Sequence, residues 1–323
     1  IFFIIYAIYK IGKIANVKFN KNYILIMGIA IIHSVFNILC TIILFPFANQ
    51  LEKLACFIIR DAKVGDAEEV LDTRLMATPS IALEQCKKVV KSMFEKTELG
   101  VVEACNMLIN YSDKTMEEVV SLEKKVDKYE DQLGTYLVQI SKQNLSEQDS
   151  REVSEILHII GDVERISDHS VAIAKSAQEI SGKKLKFSNQ AEGEITVMIK
   201  AVKEILQESK NAFLEDDANL AMDVEAMERV IDKLKHQLKK RHVDRLKKGE
   251  CTIEHGFVMT DIITSLERIS DHCSNIASCV EEIGHGSLDI HAYNRDIRRD
   301  ETNEFRSIYE KYKEKYSLEK RII

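Results

Sequence analysis

The sequence predicts an all-α protein: one transmembrane helix followed by two tandem three-helix bundles. Three observations carry this. Helix breakers are scarce, 2 prolines and 12 glycines in 323 residues, and Trp is absent, which favours long helices over sheets. An apolar run from Tyr23 to Ala48 has the length of a bilayer crossing. A block near the end of the chain repeats an earlier block at an offset of 103 residues.

Composition narrows the function. The chain is 45% hydrophobic and 30% charged, so it can bury a core beneath a solvated surface. A net charge of -7 argues against a nucleic-acid partner, whose affinity rests on Lys and Arg. The 7 cysteines are odd in number and form no C-x-x-C pair. That fits a reducing compartment with neither a disulfide framework nor a structural zinc site.

In chain order, residues 1–50 read as the end of a membrane domain. Ile1 opens an apolar run, IFFIIYAIY, which is expected to be a cut through a membrane helix. Tyr23 to Ala48 is apolar apart from His33, Ser34, Asn37 and Thr41, and would span about 39 Å as a helix. Lys10, Lys13, Lys18 and Lys21 would hold the preceding loop in the cytoplasm and send the rest of the chain outside. The unpaired cysteines argue for a cytoplasmic carboxy-terminal part, and charge alone leaves the sidedness open. His33 and Asn37, one turn apart, suit either a polar path or helix–helix hydrogen bonding.

Residues 51–80 read as a connector: amphipathic from Leu51 to Ile59, then polar, with Pro79 placed for a helix start. Helices are expected near 81–111, 114–142 and 147–181 for a first bundle spanning 81–182. A second bundle over 188–284 takes helices near 188–214, 218–248 and 254–283. Ser112, Ser146 and Asp217 suit helix starts, and Gly182, Gly249 and Gly284 suit helix ends. Residues 285–323 form a charged tail in which Phe305, Tyr309, Tyr312 and Tyr316 make one helical stripe, to pack on the bundle or stand free.

The repeat is specific. Glu164-Arg165-Ile166-Ser167-Asp168-His169 returns as Glu267-Arg268-Ile269-Ser270-Asp271-His272, with flanking identities at the same offset of 103. Leu122 to Lys128 matches Met227 to Lys233 at an offset of 105. The second and third helices of one unit therefore return in the next.

Each unit carries two E-x-x-x-D pairs: Glu123/Asp127 and Glu164/Asp168, then Glu228/Asp232 and Glu267/Asp271. Acids four apart share a helix face and repel by a few tenths of a kcal/mol. Four recurrences of an unfavourable spacing suggest a bound cation, and carboxylate oxygens suit iron, manganese, zinc or magnesium. The plainer alternative is a solvated acidic face, neutralised by Arg165 and Arg268. His169 and His272 follow the aspartates directly and diverge from them by about 100° on the helix, which makes them surface or packing residues. A di-iron oxidase would need paired E-x-x-H motifs. Glu155/His158 and Glu282/His285 have that spacing, but not at equivalent repeat positions. No nucleotide loop or hydrolase signature occurs, and the chain reads as a non-enzyme.

At these residues the chain resembles the PhoU-like family over roughly 81–285. The two -ERISDH-x-x-x-IA- runs are similar to its -ERIGDH-x-x-x-IA- signature, with Ser167 and Ser270 standing where Gly is common. The resemblance implies multinuclear metal sites at the four acid pairs. Ala30 to Asn37, Leu44 to Phe47 and Thr78 to Glu84 resemble the last span and connector of bacterial sodium/phosphate cotransporters. That resemblance implies a multi-pass inner-membrane protein with a cytoplasmic helical domain. The membrane, with phosphate and sodium handled by an upstream core, would then be its partners, alongside a second copy or a signalling protein. The first expectation is thus the regulatory tail of a sodium-dependent phosphate transporter. The alternatives are a PhoU-like phosphate-signalling adaptor and a purely structural bundle.

Overall fold

The computed structural model describes residues 21–45, 71–285 and 303–318. The chain divides into two units, 1–68 and 69–323, and each is described by itself.

In the first unit, α1 runs over Lys21–Leu44. Among the described residues no helix is long and apolar enough to cross a membrane, which corrects the expected crossing over 23–48. The reason lies in its polar groups. Asn37 Nδ2 and His33 Nδ1 are 2.9 Å apart, and Thr41 Oγ1 donates to the Asn37 carbonyl at 2.9 Å. They form a hydrogen-bonded row along one face of a run that the count of apolar residues treats as uniform. The amphipathic stretch expected over Leu51–Ile59 lies outside the described residues.

The second unit opens with a 3₁₀ turn, Thr73–Ala77, capped by Asp72, whose carboxylate accepts from the Arg74 N–H at 2.9 Å. Tyr136 Oη donates to the Asp72 carbonyl at 2.8 Å, and the Asp72 N–H donates to Gln85 at 3.1 Å. The connector is thereby fastened to the bundle it enters. Pro79 then starts α2 (Pro79–Met107), where the missing N–H costs nothing. Buried residues at Ala82, Leu83, Cys86, Val89, Val90 and Met93 give this helix one apolar stripe.

Five helices follow: α3 (Asp113–Ile140), α4 (Glu147–Lys183), α5 (Asn189–Glu215), α6 (Ala218–Lys247) and α7 (Ile253–His285). The expected starts at Ser146 and Asp217 are true caps: their side chains accept from the N–H groups of Asp149 at 3.0 Å and Asn219 at 2.8 Å. Ser112 precedes α3 without a side-chain cap bond. The glycine ends hold only in part. Gly249 takes the left-handed conformation after α6, whereas Lys184 and Asp216, both at φ 52°, end α4 and α5. Gly182 and Gly284 lie inside helices.

Helices α2, α3 and α4 pack on one another, as do α5, α6 and α7. The two bundles join chiefly along α4 and α7, with α2 against α5 beside them. Phe94 of α2 lies 6.0 Å from Phe213 of α5, ring to ring. Lys210 Nζ meets Glu98 Oε2 at 2.6 Å on the same seam. One hydrophobic core therefore runs through both bundles. At the far end of the second bundle, buried Glu194 takes Arg245 at 2.8 Å and Arg241 at 3.2 Å. The tail stripe packs rather than standing free: α8 (Asn303–Lys315) lies on α6 with Phe305 and Tyr312 buried, and Lys315 bonds Glu204 of α5 at 2.6 Å.

Phe94 is fully buried on both the core and the inter-bundle seam. Phe94→Ala is expected to cost about 3–5 kcal/mol in urea unfolding, with both bundles melting earlier together. A loss confined to one of two separate transitions would mean that the bundles do not share a core.

Candidate functional site

The eight candidate acids sit on four helices: Glu123 and Asp127 on α3, Glu164 and Asp168 on α4, Glu228 and Asp232 on α6, Glu267 and Asp271 on α7. Because α3 packs on α4 and α6 on α7, each bundle gathers its two pairs at one seam. The two seams then differ.

In the first bundle the acids face one another. Partial burial pushes the Glu123 carboxyl above the usual range, and Asp168 across the seam and Asp127 on its own helix push it further. Glu164 is raised by burial, then by Asp168, Glu130 and Asp127. Glu130 is itself raised by burial and by the neighbouring Asp131 and Asp127. Five carboxylates thus share one field. Lys124 and Lys175, both exposed, pull Glu123 the other way, and Arg165 stands 3.5 Å from Glu164 and 3.6 Å from Asp168 and is largely exposed, so water screens these contacts. Glu130 is absent from the sequence candidates because it belongs to no E-x-x-x-D pair. The repeat could have found it, since the 105-residue offset aligns it with Lys235, a reversal of charge.

In the second bundle Lys235 reaches across the seam. Its Nζ donates to Glu267 Oε1 and lies 3.5 Å from Asp232 Oδ1. Arg268 donates to Asp271 at 3.2 Å. Glu228 and Asp232 border a groove of about 360 Å³ between α6 and α8, with Arg229, Lys233, Phe305 and Tyr309. Arg229 stacks 4.3 Å above the Phe305 ring, and Lys233 sits 4.5 Å over Tyr309.

The repeats also meet each other. His169 of α4 and His272 of α7, equivalent residues, lie 5.8 Å apart ring to ring with a 30° tilt. Equivalent residues touch when two units are related by an approximate two-fold axis. His272 Nδ1 pairs with Asp162 at 2.8 Å, and Asn275 donates to the same oxygen at 3.1 Å. Burial and the neighbouring His272 hold the His169 imidazole below its ordinary pKa. These are packing histidines, as their place on the helix suggests, but the joint they pack is the one between the repeats.

The PhoU domain family matches residues 90–177 and 195–280, one stretch in each bundle and together more than half of the chain. The chain belongs to the PhoU-domain family. It is 32% identical over 133 residues to the phosphate-specific transport system accessory protein PhoU homolog 1 of Thermotoga maritima, covering 41% of this chain and 56% of that one. It is 21% identical over 258 residues to an Escherichia coli K12 protein named for inorganic phosphate export, YjbB, covering 77% of this chain and 47% of that one. The chain thus spans about half the length of these two curated relatives. The crystal structure of PhoU from Pseudomonas aeruginosa, at 22% identity, superposes with a TM-score of 0.60 over 66% of this chain and all of that one, which shows the fold.

Membership corrects several expectations. The PhoU match and the superposed PhoU structure replace the reading as a sodium/phosphate cotransporter fragment. Without a helix fit to cross a membrane among the described residues, the multi-pass inner-membrane placement falls with it. So do the membrane and sodium as partners. What misled was local: the apolar residues of α1 were read as a span, and the bundles were then assigned to whatever such a span would carry. The all-α architecture of two PhoU-like bundles stands without it.

Among the described residues no three His, Cys, Asp or Glu side chains converge in metal-holding geometry. The E-x-x-H pair of α4 splits between interior and surface, with Glu155 buried and His158 exposed. Burial pushes the Glu155 carboxyl up to about 7, opposed by Lys87 and aided by Asp216 and Glu152.

A carboxyl raised on folding binds more protons in the folded state, so its ionisation costs stability as pH rises from 4.5 through about 7. Glu155→Gln is expected to stabilise the protein at pH 8 by on the order of 2–3 kcal/mol in urea unfolding, the gain vanishing below about pH 4.5. A gain independent of pH would show that Glu155 is not the titrating group.

Proposed function

We propose that this chain is a phosphate-signalling regulatory adaptor: a PhoU-like double bundle that docks on components of a phosphate-transport system and responds to a cation held at its first acidic seam. The docking half is supported by the family match across both bundles and by the Thermotoga relative, which is named as an accessory protein of a phosphate-specific transport system. The carrying observation is that α3 packs on α4 with both E-x-x-x-D pairs at that seam, where Asp168 raises Glu123 and Glu130 and Asp127 raise Glu164 beyond the effect of burial.

Carboxylates crowded in this way favour a multivalent cation, because one ion offsets several repulsions at once and oxygen ligands suit magnesium, manganese or oxidised iron, with zinc a fourth candidate. A bound ion would supply positive charge between α3 and α4. Glu123, Glu164 and Asp168 would hold it, and Glu130 would deepen the negative field. Partial exposure of the seam lets these side chains turn toward an ion without repacking the buried stripe beneath. Loading would stiffen α4, the helix that also packs on α7, and so reach the second bundle. The competing reading, solvated acids, has the Arg165–Asp168 contact at 3.6 Å on its side.

Both halves are open to measurement. The wild-type chain is expected to purify with or take up about one or more ions per molecule by elemental mass spectrometry, and Glu164→Gln/Asp168→Asn to lose them. In cells, transport-system components should be recovered with the wild-type chain by cross-linking, and phosphate uptake should change when the chain is deleted. A folded, ion-free wild type that takes up none on titration overturns the cation half. Unchanged uptake with no transport component recovered overturns the adaptor.

A further inference from the structure

The two acidic seams come from one duplicated unit, yet their charges have diverged: Lys125 and Asp131 correspond to Val230 and His236, Lys175 to Ser278, and Glu130 to Lys235. Alignment at the offset of 105 places Lys235 opposite Glu130. In the first bundle Glu130 adds a fifth negative charge next to Glu164. In the second, the Lys235 ammonium contacts Glu267, the counterpart of Glu164, and Asp232, the counterpart of Asp127. The reversal from Glu130 to Lys235 changes the charge at that position by two units and puts a cation where the carboxylates of the two helices meet.

This is more than a surface ion pair. The Lys235 side chain is 19% exposed and Glu267 10%, so water screens their contact only partly. The Lys235 ammonium is held above its ordinary pKa by Glu267 and Asp232 against the cost of burial. Glu267 is buried where Glu164 is half-buried. On the outer side of α6, the tail helix α8 lies across the groove beside Glu228 and Asp232, with Phe305 under Arg229 and Tyr309 against Lys233. In the first bundle the matching residues Lys124 and Asp127 are exposed. The second seam is therefore neutralised from within and roofed from without.

We propose that the Lys235 ammonium is the resident cation of the second seam, which excludes metal there and leaves the first bundle as the ion-responsive one of the two. The residues present do not fit the metal that the family resemblance implies at Glu228, Asp232, Glu267 and Asp271. A divalent ion would have to displace an ammonium tethered by four methylenes, whose contacts cost no translational freedom to form. The comparison with the first seam rests on the cation reading given above. The displacement argument does not.

The test uses the full chain and Mn²⁺ as probe, with bound ion counted by equilibrium dialysis and elemental analysis and folding checked by circular dichroism. Asp232→Asn/Glu267→Gln is expected to leave Mn²⁺ binding as in the wild type. Lys235→Glu, which restores the acid of the first bundle, is expected to gain about one ion per chain. Lys235→Gln serves should the glutamate variant fail to fold. It is expected to lower the melting temperature, and millimolar Mn²⁺ should return part of the loss. Ion lost from Asp232→Asn/Glu267→Gln overturns the proposal, as does a folded Lys235→Glu that gains none together with a Lys235→Gln that Mn²⁺ fails to rescue. A wild type that binds no Mn²⁺ while Lys235→Glu binds one refutes the cation reading of the first seam and supports the lysine at the second.

Discussion

The packing of α4 on α7 is the constraint on which the rest of the molecule depends. Each of these helices carries one copy of the -ERISDH- block, and their equivalent histidines meet at the joint between the repeats. Burying Ile159, Ile166 and Ile173 of α4 and Ile262, Ile269 and Ile276 of α7 fixes the rotation of both helices. With that rotation set, Glu164 and Asp168 must lie toward α3, and Glu267 and Asp271 toward α6. The apolar stripe thus decides where the acids point, and the duplication decides that they do so twice.

Repulsion among buried or half-buried carboxylates needs an answer, and the two halves answer differently. The second seam answers with a covalently attached ammonium, always present and independent of the medium. In the first the cations are exposed ones: Arg165 beside Glu164 and Asp168, with Lys124 and Lys175 acting on Glu123. On the cation reading proposed above, a half with a fixed ammonium and a half open to dissolved cations would be joined through α4 and α7, the one a frame for the other.

Much of this was legible in the sequence, for stated reasons. Six identical consecutive residues repeated in register reveal a duplication directly, and the spacing of Ile and Val within them gives the buried face. The caps at Ser146 and Asp217 and the 3.6-residue stripe of the tail were readable for the same reason: each is a local pattern with a local cause. The failures were of two kinds. Composition alone made α1 a membrane span, whereas the row from His33 through Asn37 to Thr41 gives that helix a hydrogen-bonded polar face. And charge partners across a seam are set by tertiary packing. Nothing local says that Lys235 reaches Glu267 thirty-two residues away, that Glu130 joins its neighbours against Glu164, or that His169 finds His272. Lysine and glutamate both suit a helix surface, so the charge reversal between the repeats carries no signal until the repeats are aligned residue by residue.

The central claim is that two seams of common origin hold different cations. Crystals of the chain grown with Mn²⁺ and measured at the manganese absorption edge test it most directly, because anomalous scattering locates the ion without reference to affinity. The account predicts a peak between α3 and α4 among Glu123, Glu164 and Asp168, and none between α6 and α7, where the Lys235 side chain should fill the density. Equal peaks at the two seams, with Lys235 turned away from Glu267, would contradict it.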